Sequence, residues 1–304
     1  MGVRLALPSI KLVDWNVIAR FEGIKAGEIT RLLFVSDIHF DSVYCEREIL
    51  KRHLDANPDA WIVIAGDLFD AMQGRYDNRR SYDEIREEYK GGNYYDLILD
   101  DTVKFFLPYA HRLLYLGYGN HETAVLKYAN TDLLQRFAER ISKKSDSVVA
   151  VGGYASWLRI VFGRENGGRK TWSKGINIRI AHNAGGGGTQ APVTRGLIQT
   201  NRQAVYLQNA DIVVNGDNHE GYAVPIARQI LLDSGKCVQT VTWFLRTPGY
   251  KQAFGKQRVG FDIEKIATPK PMGGILVTLR AEAERKGGAG GVRDIEIVPT
   301  PVIE

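Results

Sequence analysis

The sequence predicts an α/β fold on two observations. Over roughly the first 220 residues, short apolar runs that end abruptly in polar residues alternate with segments whose apolar residues recur at helical spacing. Strands that alternate with helices in this way are typical of an α/β sheet. From about residue 222, apolar runs follow one another with no good helix between them. We therefore expect the last third of the chain to be β-rich.

Five apolar runs of the first part are predicted to be strands, and polar residues follow each of them closely. The runs are residues 31–35, 60–65, 112–116, 176–181 and 211–214. The polar residues that follow them are, in the same order, Asp37 and His39; Asp67 with Asp70; Asn120 and His121; His182; and Asp217 with His219. Because ligands of α/β sheets gather beyond the carboxyl ends of strands, we expect these side chains to converge.

The remaining elements are predicted from the spacing of apolar residues and from residues typical of helix ends and loops. Helices are predicted over residues 46–56, 97–107, 131–143 and 196–209. Thr131 is the predicted N-cap of the third. Strands of the C-terminal third are predicted over residues 222–232, 238–245, 274–280 and 294–298. Residues 72–96 read as an insertion, residues 163–175 read as an exposed turn between strands, and the four glycines of residues 185–188 indicate a loop.

Composition indicates one large domain, or one domain with a small appendage. The chain has 304 residues, of which 44% are hydrophobic, and its formal net charge is +5. Only two cysteines are present, Cys45 and Cys237, with no CxxC pair, which argues against a disulfide framework or structural zinc. No apolar run approaches the length of a spanning helix, and Pro8 and Lys11 interrupt the N-terminal stretch, which makes a poor signal peptide. We expect a soluble, cytoplasmic protein with no membrane partner.

The residue types after the strands indicate a metal site. Carboxylate, imidazole and amide donors suit Mn, Fe, Zn, Ni or Mg rather than Cu(I) or an iron–sulfur cluster. Two such ions, about 3.5–4 Å apart, can activate a water between them and neutralise charge on a phosphoryl group. A further histidine can protonate the leaving oxygen.

The order D-x-H, G-D-x-x-D, G-N-H-E, a lone His and a final G-x-x-H resembles the calcineurin-like metallophosphoesterase superfamily over roughly residues 31–222. The resemblance implies a four-layer αββα sandwich of two mixed sheets. The β-rich part from about 223 to 304 then extends a single domain of residues 1–304. The motif GDLFD is most similar to the DNA-repair exonuclease branch and to phosphoesterases encoded by phages.

The resemblance also implies roles for individual residues. Asp37, His39 and His219 would bind the first ion, and Asp67 would bridge both ions. Asn120 and His182 would bind the second ion. His121 would be the catalytic histidine that contacts the substrate phosphate.

One position departs from the family pattern. The last motif of the family reads Gly-His-x-His, whereas this chain reads Gly216-Asp217-Asn218-His219. Asp217 stands where a histidine ligand of the second ion is expected, and its charge favours a harder ion. We therefore expect Mn, or Mg, in preference to Zn, Ni or Fe. The competing interpretation is a second site that is weak or empty.

Other polar residues are interpreted more conservatively. Asp70 is expected to cap a helix rather than to hydrogen-bond a ligand, and His53 and His111 are expected to be packed. Glu122 is expected to cap the helix after its motif or to support a ligand.

The basic groups lead to a prediction about the substrate. A basic patch with one aromatic residue could contact a phosphate backbone, although a plain surface hairpin explains it equally well. The candidate substrate-binding residues are Arg164, Arg169, Lys170, Trp172 and Arg195. With the positive net charge, they favour a DNA nuclease. The alternatives are a nucleotide or small-molecule phosphodiesterase, or a catalytically silent binding scaffold. Since the chain has no ATPase motif, any ATPase partner would be a separate protein.

Overall fold

The computed structural model describes residues 7–25, 27–73, 82–166, 169–183, 200, 202–252, 270–283 and 292–304. The side chains of residues 164–166, 169–172, 283, 292 and 293 lie outside this description. The strands are β1 (Ser9–Val13), β2 (Asn16–Glu22), β3 (Ile29–Val35), β4 (Ala60–Ala65), β5 (Leu113–Gly117), β6 (Ala150–Val151), β7 (Ala155–Asn166), β8 (Arg169–Ala181), β9 (Ile212–Asn215), β10 (Tyr222–Leu231), β11 (Cys237–Arg246), β12 (Gly273–Ala283) and β13 (Val292–Ile303).

The α-helices are α1 (Arg47–Ala56), α2 (Tyr94–Phe106), α3 (Asn120–Ala129) and α4 (Leu133–Ser145), with 3-10 turns at Glu87–Tyr89 and Leu107–Arg112. Residues 200 and 202–206, within the fourth predicted helix, are also helical. No helix in the described ranges combines the length and the apolar character needed to cross a bilayer.

Two mixed sheets contain the thirteen strands of the described residues. The seven-stranded sheet has the order β1-β2-β7-β8-β9-β11-β10, and the six-stranded sheet has the order β13-β12-β3-β4-β5-β6. Strands β3 to β6 are parallel, and β12 and β13 extend them antiparallel. The C-terminal third thus supplies β10 and β11 to one sheet, and β12 and β13 to the other.

Side chains along the strands alternate between the two faces of each sheet, and this alternation separates the apolar cores into layers. In β3, Leu33 and Val35 belong to a core that also contains apolar residues of α1, α2 and α4, whereas Leu32 and Phe34 belong to a second core shared with β2, β7 and β8. Since successive side chains of a strand point to opposite faces, the six-stranded sheet lies between these two cores. A small third cluster with Val213 and Phe244 covers the outer face of the seven-stranded sheet. The expected αββα sandwich is confirmed.

The predicted elements agree with most of these bounds. The five predicted strands correspond to β3, β4, β5, the second half of β8, and β9, and the four C-terminal predictions correspond to β10–β13. The first three predicted helices correspond to α1, α2 and α4. Strands β1, β2, β6 and β7 were not predicted.

Two local predictions were wrong. The N-cap of α4 is Asp132, whose carboxylate accepts from the Gln135 amide, and not Thr131. The turn predicted over residues 163–175 is too long, because β7 runs to Asn166 and β8 begins at Arg169, so that most of the segment forms the two arms of a hairpin. Residues 167 and 168 lie outside the described residues. The glycines at 185–188 lie outside the described residues.

Candidate metal centre

Side chains that follow strands of both sheets meet in one buried cluster. Within it, three sets of ligand atoms each lie within 4.8 Å of one another and could hold a metal ion. The sets are Asp37 with His39 and His219; His39 with Asp67 and His121; and Asp37 with Asp67 and His182. Because each set shares a residue with another, they form one continuous cluster. The first set is the one expected for the first ion.

The loops that carry these residues have an unusual backbone. Nine non-glycine residues of the described part have positive φ, and five of them are predicted site residues. These are Asp37 (50°), His39 (49°), Asp67 (49°), Asp217 (71°) and His219 (57°). Side-chain-bearing residues rarely adopt this region, and each such residue costs on the order of 1–3 kcal/mol unless its surroundings impose it. Such conformations are typical of functional sites.

Asp67 lies at the centre of the cluster. Its Oδ2 is 3.0 Å from Nε2 of His182, 3.8 Å from Nε2 of His121 and 4.0 Å from Nε2 of His39. Burial by itself raises the pKa of Asp67, but the His182 and His121 rings lower it well below its usual range. The carboxylate is therefore ionised and surrounded by imidazole nitrogens, as a metal ligand requires.

His182 is oriented by the backbone. Its Nδ1 lies 2.9 Å from the Ala65 carbonyl and donates to it, which leaves Nε2 to face Asp67 and, at 3.7 Å, Asp37. Burial lowers the pKa of His182, but the Asp67 and Asp37 carboxylates raise it well above its ordinary value. A second nitrogen fixed by a carbonyl is the usual arrangement of a metal-binding histidine.

His39 provides the test of whether a metal fits this site. Its Nδ1 lies 2.7 Å from Oδ1 of Asp70, so that its Nε2 faces the cluster. Nε2 is buried and has no hydrogen-bond partner among the described residues. A buried imidazole nitrogen without a partner is costly unless it binds a cation. The donor set therefore fits a metal ion.

The role expected for Asp70 was wrong. Instead of capping a helix, its buried carboxylate contacts His39 and the Lys251 ammonium, which is 3.1 Å from Oδ1. Its carbonyl accepts from Nδ1 of His121 at 2.5 Å. Burial raises the pKa of Asp70, but Lys251 and His39 hold it well below its usual range. Asp70 thus orients two histidines of the cluster.

Glu122 fulfils both expectations. Its carboxylate accepts from the Gly119 amide at 2.8 Å, at the start of α3, and from the amides of Asp67 and Phe69 at 3.1 and 3.0 Å. Burial raises the pKa of Glu122 to about 7. This side chain therefore ties the Asp67 loop to the helix that carries His121.

Asn120 is the first residue of α3 and lies between Gly119 and His121 in the chain. A β-carbon placed on Gly119 would lie 1.9 Å from Oδ1 of Asp67, and the His121 amide donates to the same oxygen at 3.0 Å. This close approach brings the start of α3 against Asp67. The ligand role of Asn120 remains a prediction.

Asp217 and His219 both lie beside Asp37. The Asp217 amide is 3.1 Å from both oxygens of Asp37, and its own Oδ2 accepts from Asn183 at 2.9 Å. Its carboxylate is in none of the three ligand sets found among the described residues, and its ligand role remains a prediction. His219 Nε2 is 3.5 Å from Asp37, and burial lowers the pKa of His219 to about 4. Its ring is therefore neutral near pH 7, as a metal ligand must be.

Sequence reasoning missed the segment 246–251, which packs against the cluster. The Tyr250 amide donates to the Asp37 carbonyl at 2.9 Å, and the Thr247 hydroxyl lies 2.6 Å from that of Ser36. No motif marks this segment. Sequence reasoning also missed Asp41, whose carboxylate accepts from the Asp70 amide at 2.7 Å. Its position two residues after His39 could have identified it.

The remaining predictions concern the candidate substrate-binding residues and two histidines. Arg195 lies outside the described residues, as do the side chains of Arg164, Arg169, Lys170 and Trp172. Away from the cluster, His53 is buried beside the Tyr250 hydroxyl, as expected. His111 is exposed, so the prediction that it is packed was wrong.

Comparison with known proteins gives one family. The sequence profile of the calcineurin-like phosphoesterase family matches residues 30–221. No curated protein matches the chain significantly.

Solved structures similar to this chain include the phosphoesterase YfcE from E. coli, with 14% identity, 83% of this chain and 93% of that chain covered, and a TM-score of 0.37. Another is the calcineurin-like phosphoesterase YfkN from Bacillus subtilis, with 10% identity and a TM-score of 0.39. The match covers 90% of this chain and 91% of that chain. A third is Vps29 from Entamoeba histolytica in complex with zinc, with 10% identity, 90% and 99% covered, and a TM-score of 0.33.

Proposed function

Because the chain belongs to the calcineurin-like phosphoesterase family, a metal-dependent family of hydrolases, we propose that it hydrolyses phosphodiester bonds with two divalent ions, preferably Mn²⁺. The observation that carries the proposal is the position of Asp67, whose Oδ2 has imidazole nitrogens of three histidines within 4.0 Å. A carboxylate so surrounded can serve two cations at once. When bound, the ions would supply an activated water and neutralise charge on the phosphoryl group.

The protein's own groups hold the donors in place. Asp70 and the Ala65 carbonyl fix Nδ1 of His39 and of His182, so that Nε2 of both rings faces Asp67. Fixed rings and buried carboxylates provide a preorganised site, and such preorganisation is a principal source of catalytic rate enhancement.

His121 is the proposed catalytic residue. Its Nδ1 donates to the Asp70 carbonyl, so that Nε2 faces the cluster, 3.8 Å from Oδ2 of Asp67. In its protonated form, Nε2 would donate a proton to the leaving oxygen of the phosphodiester. A positioned proton donor of this kind contributes on the order of 10²–10⁴-fold in rate.

DNA is the proposed substrate, because the net charge of +5 favours a polyanionic partner. The alternative within the same chemistry is a nucleotide or small-molecule phosphodiester. A silent scaffold is disfavoured, since a protein that only binds a partner has no chemical need for an oriented His121.

The first experiment measures hydrolysis of bis-p-nitrophenyl phosphate after chelation and reloading with Mn²⁺. We expect wild type to be active. On diphenyl phosphate, whose phenolate leaving group is far more basic and needs a proton, we expect His121→Ala to lose about 10²–10⁴-fold in kcat, and the exposed control His111→Ala to match wild type. Wild type that is inert with Mn²⁺, Mg²⁺, Zn²⁺ and Ni²⁺ would contradict the proposal. So would a His121→Ala variant with unchanged activity on diphenyl phosphate.

Two further measurements test the finer claims. Calorimetric titration with Mn²⁺ should give two ions per chain, and a single ion at millimolar Mn²⁺ would overturn the two-ion arrangement. Labelled single-stranded and duplex DNA should be cut, with affinity that falls steeply as salt rises. If bis-p-nitrophenyl phosphate is hydrolysed and neither DNA is cut, the substrate is a smaller phosphodiester.

A further inference from the structure

Tyr154 lies in the connection between β6 and β7, where the chain passes from the six-stranded sheet to the seven-stranded sheet. Just before it, the Gly152 amide donates to the Leu116 carbonyl at 2.9 Å, near the end of the strand that leads to Asn120. The Tyr154 carbonyl accepts from the His182 amide at 3.2 Å. Tyr154 is therefore held beside the segments that carry Asn120 and His182, one from each sheet.

The ring of Tyr154 lies at the candidate metal centre. It meets the His182 ring edge-on, with 6.1 Å between the centroids and 78° between the planes. The side chain also packs against the apolar core that α3 and α4 share, and it is only partly buried. The ring is thus fixed beside a predicted metal ligand while part of the side chain stays exposed.

The hydroxyl of Tyr154 differs from those of the buried tyrosines. It makes no hydrogen bond within the described part of the chain, and its oxygen is not one of the buried polar atoms that lack a partner, so that solvent reaches it. The described residues include six buried tyrosines, each of which pairs its hydroxyl with another side chain. These are Tyr89, Tyr94, Tyr109, Tyr115, Tyr118 and Tyr250. The Tyr154 hydroxyl is therefore free to bond a ligand.

Carboxylates of the metal centre act on this hydroxyl without accepting from it. Burial raises the pKa of Tyr154 to about 12, and the charges of Asp217, Asp67 and Asp37 contribute to the rise. The hydroxyl is therefore a neutral proton donor at pH 7. A donor placed beside a cation site suits an anionic oxygen that the cations hold there.

We propose that Tyr154 binds the substrate, with its hydroxyl donating to a non-bridging oxygen of the phosphodiester at the metal centre. This inference rests on the proposed function and adds a second substrate contact to that of His121. His121 acts on the leaving oxygen, whereas Tyr154 acts on a charged oxygen that stays on phosphorus. A hydrogen bond from a neutral donor to a charged group corresponds to about 10–100-fold in affinity.

The first experiment compares Tyr154→Phe with wild type on bis-p-nitrophenyl phosphate in Mn²⁺. The variant keeps the ring that packs against His182 and removes one oxygen. We expect kcat/KM to fall by about 10–100-fold. The control is Tyr206→Phe, which removes the hydroxyl of a tyrosine that is 65% exposed and should match wild type.

The affinity for Mn²⁺ distinguishes a substrate contact from support of the metal ligands. Calorimetry should give the same Mn²⁺ affinity for Tyr154→Phe and wild type, because no ligand accepts from the hydroxyl. A tenfold weaker affinity in the variant would show that Tyr154 acts through the metal site, and the inference would be overturned.

Binding of inorganic phosphate separates this inference from the proposed function. Equilibrium dialysis of the Mn²⁺-loaded proteins should show phosphate binding that is about tenfold weaker in Tyr154→Phe and unchanged in Tyr206→Phe. If no phosphodiester is hydrolysed while phosphate binds in this pattern, the proposed function fails and the role of Tyr154 stands. An active enzyme in which Tyr154→Phe leaves kcat/KM unchanged refutes the inference. So does a phosphate affinity that Tyr154→Phe leaves unchanged, or a wild type that binds no phosphate.

Discussion

The ammonium of Lys251 lies 3.1 Å from Oδ1 of Asp70, the same oxygen that is 2.7 Å from Nδ1 of His39. Lys251 Nζ also lies 3.1 Å from Glu84. Burial lowers the pKa of Lys251, but the Asp70 and Glu84 carboxylates raise it above its ordinary value. This lysine therefore fixes the carboxylate that orients His39.

Replacing Lys251 with methionine should destabilise the metal-free protein by about 3–5 kcal/mol, because the buried Asp70 carboxylate and the partly buried Glu84 carboxylate lose their cation. Urea denaturation in the presence of chelator measures this loss. Lys251→Arg keeps the charge and should retain most of the stability. Equal stabilities of Lys251→Met and wild type would show that water stabilises the Asp70 and Glu84 carboxylates as well as the lysine does.

Gly249→Ala should weaken binding of Mn²⁺ by about 10–100-fold, the range typical of changes to groups that support metal ligands. A β-carbon at this position would lie 2.8 Å from Nδ1 of His219 and 2.9 Å from Cβ of Asp37, so both side chains must shift. Calorimetry with Mn²⁺ measures the affinity. The control is Gly92→Ala, whose added methyl meets no atom within 4 Å. An unchanged affinity for Gly249→Ala would mean that the loop relaxes freely.

Asp217→His should shift metal preference from Mn²⁺ towards Zn²⁺ by about tenfold or more, because imidazole suits the softer ion better than a carboxylate does. Burial raises the pKa of Asp217 to about 6, so the wild-type group is mostly charged at pH 7.5. Competition between the two ions, followed by metal analysis, gives the ratio. Asp233→His, in an exposed turn, is the control. A ratio unaltered by Asp217→His would exclude Asp217 as a ligand.

Arg112→Met should destabilise the protein by about 3 kcal/mol or more. The buried guanidinium donates to the carbonyls of Leu54, Asn57 and Ala60, and each acceptor left without a donor costs on the order of 1–3 kcal/mol. Urea denaturation again provides the measurement. Arg52→Met, which removes an exposed ion pair with Glu304, should cost less than about 1 kcal/mol. Similar losses in the two variants would contradict this account.

The sequence by itself determined the strands that carry the site and the residues at their ends. Apolar runs and the polar residues after them are local features, so Asp37, Asp67 and His182 could be identified before the fold was known. Local periodicity also predicted α1, α2 and α4, because each buries one apolar face in the core. The four C-terminal strands were predicted from apolar runs, as the earlier strands were.

Only the tertiary structure decided how distant segments meet. The contact of Lys251 with Asp70 spans 181 residues, and the division of β10–β13 between two sheets depends on pairing with strands far away in the chain. Local patterns record whether a residue is buried, but not which partner buries it. That choice depends on packing across the whole domain, which is why Asp70 was expected to be a cap and proved to orient two histidines.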